Sequence, residues 1–205
     1  MLTDAVHLQL RDTEWENNRR QRAGKKLLEP LYNLNDVQSL LKFRQPIVYN
    51  EEKEILSGIT VSFHEAGHIL DSSVVRLRIK DKDEIKTLVF FGDLGNPKSP
   101  LMRDPAILTE ADVLLLESIY GDRDHKPLEN TLDELRETLA EAAENGGNVI
   151  ITAFAAGRTQ DLIYWLSKIQ RQGKLPQQQI YLDNPMAISA SEIYADNTHL
   201  FNITA

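Results

Sequence analysis

The sequence has 205 residues, 41% of them hydrophobic and 26% charged, enough for one domain or two small ones around an ordinary core. Its formal net charge of −8 argues against a free-standing nucleic-acid binder, which needs a basic face, although a local basic groove is compatible with it. With no cysteine there is no disulfide, thiolate nucleophile or thiolate zinc site, so any metal must be held by His, Asp and Glu; the composition fits the cytoplasm, and no apolar run is long enough to span a bilayer.

Residues 3–28 are charge-rich with Leu8, Trp15, Leu27 and Leu28 as apolar points, and predict a helix. The run Arg19 to Lys26 places five cations in eight residues and reads first as a solvated helix face, second as a phosphate contact. A second helix is expected from near Asn35 to a point before Pro46, because the residue ahead of a proline is pushed out of the helical region. Ile59, Val61 and Phe63 then alternate with Thr60, Ser62 and His64, the period of a half-buried strand. The same period returns where Val75, Leu77 and Ile79 alternate with Arg76, Arg78 and Lys80, and the polar Asp81 to Glu84 turn leads into Ile85 to Phe91 as a hairpin. Asp93 follows that strand, with Gly92, Gly95, Pro97 and Pro100 marking an irregular loop. Val113 to Leu116 reads as a buried strand ending at Glu117.

From there helix and strand alternate. Thr131-x-x-Glu134 predicts a capping box, and Leu128, Leu132, Leu135 and Leu139 form one helical stripe that ends at Gly146-Gly147. Asn148 to Thr152 is expected as a strand, followed by a helix from about Gly157 with Leu162, Ile163, Leu166 and Ile169 inward and Gly173 beyond its end. Ile180 to Leu182 repeats the strand pattern, with Asp183 or Asn184 as N-cap and Pro185 opening a helix to about Ala195. Two strand–helix units in succession imply a parallel sheet with right-handed crossovers.

His64-Glu65-x-x-His68 carries the spacing of a zinc-protease helix, in which residues four apart share a face. Gly67, the β-branched Ile59, Thr60, Val61, Val74 and Val75, and the strand patterns on both sides oppose a helix here. The extended form of that motif also needs a further Gly and His where Asp71 and Val74 stand. His64 and His68 are therefore expected in or beside a loop between two strands. Loop His68, with Asp93 and Glu117 at strand ends, would then project from one edge of a sheet, where sites of layered α/β folds collect; imidazole and carboxylate together suit zinc or manganese.

Five stretches in this order resemble the β-CASP branch of the metallo-β-lactamase superfamily, the RNA- and DNA-processing nucleases of the ribonuclease J and 3′-end-processing type. They are His64 to Ser72, Phe91-Gly-Asp-Leu-Gly95, Leu116 to His125, Thr152-Ala-Phe-Ala-Ala-Gly-Arg-Thr-Gln160 and Tyr181-Leu-Asp-Asn-Pro-Met-Ala187. The resemblance implies an α/β fold: residues 1–120 as the C-terminal part of a metallo-β-lactamase αββα sandwich, and residues 121–205 as the N-terminal part of a parallel α/β β-CASP domain. It implies two zinc ions, with His68 as a ligand and Asp93 bridging both, since two dications close together need negative charge between them. Glu117 would orient a general-acid histidine contributed from outside this sequence. Arg158 and Asn184, at helix N-termini, would hold backbone phosphates of single-stranded RNA or DNA, with a structural ion pair as the equal alternative for Arg158. His125 falls in the crossing segment and reads as structural, and His64 is not a ligand in this family.

The family's His-x-His-x-Asp-His run is absent: the histidines stand at 7, 64, 68, 125 and 199, with no pair two apart. Position 71 is Asp where the family has Gly, and position 184 is Asn where it has Ser. The expectation is a piece of a longer zinc-dependent ribonuclease, cut at both ends and inactive alone, with an exposed apolar face that favours a homo- or hetero-oligomeric partner. A non-catalytic interaction module paired with an active homologue is the alternative, and the zinc protease a distant third. Nothing in the sequence points to a membrane partner.

Overall fold

The computed structural model describes residues 2–175 and 178–202. They divide into two compact units, Met1–Pro46 and Ile47–Ala205.

The first unit holds helices α1 (Leu2–Arg22) and α2 (Leu34–Leu41). Helix α1 stops six residues before the expected end because Gly24 takes φ +64°, and the Lys25 N–H reaches back to the Arg20 carbonyl at 2.9 Å, closing the last turn. The chain then doubles back along the helix: Asn17 both donates to the Leu28 carbonyl (2.9 Å) and accepts the Leu28 N–H (2.7 Å). The cations of the basic run lie at this helix end, with the Arg19 guanidinium over the Trp15 ring at 5.0 Å. Helix α2 opens on a capping box in which Asn33 accepts the Asn35 N–H and Asp36 accepts the Asn33 N–H, both at 2.8 Å.

The second unit is mixed α/β. Its five-stranded sheet runs in sequence order, β1 (Lys53–Leu56), β2 (Ile59–Glu65), β3 (Ser73–Asp81), β4 (Glu84–Phe90) and β5 (Val113–Leu115). The first four strands are antiparallel neighbours and β5 is parallel to β4. The β3–β4 hairpin turns through Lys82 and Asp83, with Asp81 opposite Glu84. Ala66, Val74 and Val89 are buried under this sheet, with Phe91, Leu94 and Leu108 packed on them. Helices α3 (Leu128–Glu144), α4 (Arg158–Arg171) and α5 (Pro185–Asp196) follow. A second apolar cluster of Leu101, Met102 and Tyr194, flanked by Leu70, Tyr164 and Phe201, joins α5 to the loops of the sheet.

Four local expectations are corrected. Helix α3 starts at Leu128 with Pro127 as its N-cap at φ −51°, so Thr131 lies inside the helix and donates to the Pro127 carbonyl (3.4 Å) instead of capping. Glu134 is held by the Lys126 ammonium at 2.6 Å. Strand β5 is exposed rather than buried, since it closes the sheet as an edge. Residues 148–152 and 180–182 form no strand, so the expected parallel pairing there is not made. Both runs are apolar enough to be buried, but a strand also needs a ladder partner for its backbone groups. Neither finds one among the described residues.

Candidate functional site

His64 lies on β2, opposite Val74, and His68 lies in the loop after it, so the His-Glu-x-x-His spacing is not on a helix. His64 is buried inside a polar chain of its own. Its Nδ1 donates to Asn50 Oδ1 (2.8 Å), and its Nε2 accepts from Ser62 Oγ (3.0 Å), which in turn accepts from Arg76 Nε (3.2 Å). Arg76 also pairs with Glu52 at 2.8 Å. Burial, and then the Arg76 charge, push the imidazole below its ordinary value, with Glu52 opposing. Glu65 is spent on backbone: its side chain accepts the Gly67 N–H (2.8 Å) and its carbonyl the Ala106 N–H (2.8 Å).

The loop from Ala66 to Ser72 presents His68. Gly67 and Asp71 both take φ +67°, so Asp71 keeps a left-handed turn that usually calls for glycine. Ser72 Oγ accepts the N–H groups of His68 (3.1 Å) and Ile69 (3.2 Å), and Tyr194 Oη accepts that of Leu70 (3.0 Å).

His68 Nε2 stands 3.6 Å from Asp93 Oδ2, both side chains being partly open to solvent. Gly95 makes this approach possible. Its N–H donates to the Ala66 carbonyl (2.9 Å), and a Cβ there would fall 1.7 Å from the Gly67 oxygen. Helix α4 closes on the same loop, since a Cβ at Gly157 (φ +81°) would stand 2.5 Å from Ile69 Cγ2. Gln160 fixes this helix start: its carbonyl accepts the Gly157 N–H (2.7 Å), and its amide donates to the Ala155 carbonyl (3.1 Å) and to Ser191 Oγ on α5 (2.9 Å). Asp161, in the first turn of α4, is pushed up by burial, against the opposing charges of Arg158 and His68.

The expected site residues thus fall into two groups. His68 and Asp93 are brought together. Glu117 is half-buried just after β5, with no hydrogen bond or ion pair to either of them among the described residues. Arg158 is exposed as the first residue of α4, and Asn184 caps α5 by accepting the Ala187 N–H at 3.0 Å. His125 packs on the Tyr120 ring with centroids 4.1 Å apart. The sequence reading missed Gly95, Gln160, Asp161 and Tyr194 as supports of this edge. Gly95 had left a signal in the sequence as a loop marker and Gln160 as the end of a motif stretch; Asp161 and Tyr194 had left none.

Two zinc ions do not fit the residues present. Among the described residues no three or more His, Asp or Glu side chains converge as a metal would require, and His68 with Asp93 gives two donors where a catalytic zinc takes three. No helix among the described residues is long and apolar enough to cross a membrane.

Residues 159–205 match the Beta-Casp domain family. The chain is similar to ribonuclease TTHA0252 of Thermus thermophilus, 36% identical over 166 residues that make up 81% of this chain and 37% of the relative. It is similar to the RNase J-like protein of Methanocaldococcus jannaschii, 34% identical over 178 residues, 85% of this chain and 41% of the relative. Transcription termination factor FttA of Methanosarcina mazei is 31% identical over 175 residues, 83% of this chain and 27% of that protein. With five motifs in order, a mixed α/β fold that brings two of them together and these relatives, the chain belongs to the β-CASP branch of the metallo-β-lactamase superfamily, spanning about two fifths or less of the length of the relatives named.

Proposed function

We propose that this chain is part of a β-CASP ribonuclease that cleaves RNA phosphodiester bonds in RNA processing, with the site at the sheet edge where His68 meets Asp93. The approach of that pair at 3.6 Å, under the start of α4, carries the reading. In it residues 1–120 contribute the metallo-β-lactamase-like part and residues 121–205 the β-CASP part. His68 and Asp93 are two members of a zinc-binding set whose other imidazoles come from outside this chain, and Glu117 orients a general acid from there. Arg158 supplies a cation for backbone phosphates, while Asn184 fixes the N-terminus of α5. The chain alone does not cleave, because a hydrolytic metal centre needs more donors than this pair.

The same shortage of donors favours a second reading, a non-catalytic module that pairs with an active homologue. The test measures zinc content and cleavage of matched single-stranded RNA and DNA, by the 205-residue chain alone and joined to a preceding segment carrying His-x-His-x-Asp-His. RNA cleavage is expected only from the joined form, with two zinc ions bound, and is lost in His68→Ala and in Asp93→Asn. Cleavage by the chain alone overturns the shared-site reading; a joined form that binds a homologue but cuts nothing favours the module.

A further inference from the structure

Four consecutive backbone N–H groups, those of Gly67, His68, Ile69 and Leu70, donate to side-chain oxygens. The acceptors for the first three, Glu65 at the end of β2 and Ser72 at the end of the loop, lie within four residues of their donors. The fourth acceptor, Tyr194 Oη, lies 124 residues away on α5. Tyr194 is 7% exposed, packed with Leu101, Met102 and Phe201, and the Leu70 side chain rests against the same cluster. Burial raises its phenol above the ordinary 10.0, opposed by the Leu70 N–H and aided by the Asp161 charge, so the group stays a neutral hydroxyl near neutral pH.

We infer that Tyr194 is a positioning residue: by accepting the Leu70 N–H, it ties the loop between the two left-handed turns at Gly67 and Asp71 to α5, and so sets how His68 meets Asp93. Of the four N–H bonds, one goes to the last residue of the adjoining strand β2, two go to Ser72 at the loop's own end, and this one alone ties the loop to an element distant in sequence. A half-buried N–H that loses its acceptor moves to find another, and here the moving peptide is two residues from His68. The catalytic meaning of the pair rests on the proposed ribonuclease reading; the positioning itself does not.

Tyr194→Phe keeps the ring and its packing and removes only the oxygen. By amide exchange and imidazole NMR on the 205-residue chain, the variant is expected to exchange the Leu70 amide about tenfold faster and to shift the His68 ring resonances, leaving those of His64 in place. The control, Leu101→Ala, loosens the same cluster and keeps the hydroxyl; it is expected to lower Tm without moving the His68 ring. Unchanged Leu70 exchange and His68 signals in Tyr194→Phe, or equal His68 shifts in both variants, overturn the inference. In the RNA-cleaving joined form, Tyr194→Phe is expected to lower kcat about tenfold at unchanged KM. If the unmutated joined form does not cleave, the ribonuclease reading fails while the NMR comparison still decides the role of Tyr194.

Discussion

Asp71 holds φ +67° with its side chain exposed, and no hydrogen bond to its carboxylate offsets the strain among the described residues. Glycine takes this conformation without the steric cost of a Cβ. Asp71→Gly is therefore expected to stabilise the chain by about 0.5–1 kcal/mol, and Asp71→Val to destabilise it, in urea unfolding. His64 makes an opposite kind of demand, since its Nε2 must stay unprotonated to accept from Ser62. Its folded pKa lies below the ordinary 6.5, so the unfolded chain takes up the proton more readily. The stability this imidazole contributes is complete above pH 6.5 and is lost as the pH falls below it toward the folded value. Unfolding free energies compared at several pH values between the parent chain and His64→Gln are expected to show a shallower acid-side slope in the variant. Both residues show what a sequence hides. The His-Glu-x-x-His spacing was visible at once, but that His64 is fully occupied by Asn50 and Ser62 depends on partners that only the folded strand brings near.

Among the elements, β2 and β3 were legible because apolar and polar residues alternate along them, and β4 because it follows the polar hairpin turn; in β2 the burial does not track that alternation, since Ser62 and His64 of the polar set are buried. The helices were legible to within a turn, except where Gly24 ended α1 early and Pro127 started α3 early. Residues 148–152 and 180–182 carry strand composition without a strand, because composition records a capacity for burial while a ladder requires a second backbone. Of the site, the pairing of His68 with Asp93 followed from motif order, and the role of helix α4 in closing over it did not. That role turns on bare backbone. Gly157→Ala would press a methyl group 2.5 Å from Ile69 Cγ2 at φ +81°, and is expected to lower Tm more than Gly173→Ala, where the same added carbon meets nothing within 4 Å. At the start of α5, Asn184→Ala removes the cap and is expected to cost about 1 kcal/mol, while Asn184→Ser, the family's usual residue, restores most of it.

For the molecule as a whole, strongly exposed apolar side chains include Ile150 (90% exposed), Ile107 (89%), Leu31 (88%), Phe154 (85%) and Tyr181 (82%), and Tyr181 lines a cleft of about 670 Å³ with Val149, Ile151, Leu162, Leu166 and Ile180. Patches of this kind drive association. Concentration-dependent self-association is expected in sedimentation, and Ile150→Lys combined with Tyr181→Lys is expected to reduce it without lowering Tm. The bond from Leu70 to Tyr194 carries a further consequence, in the order of synthesis. Its two ends are 124 residues apart, so at about 5 to 20 residues per second roughly 6 to 25 s of translation separate the donor from its acceptor. The sheet strands and their hairpin can assemble within that interval. A ribosome that pauses between α4 and α5 therefore holds a chain whose sheet is complete and whose His68 loop still waits for its last anchor.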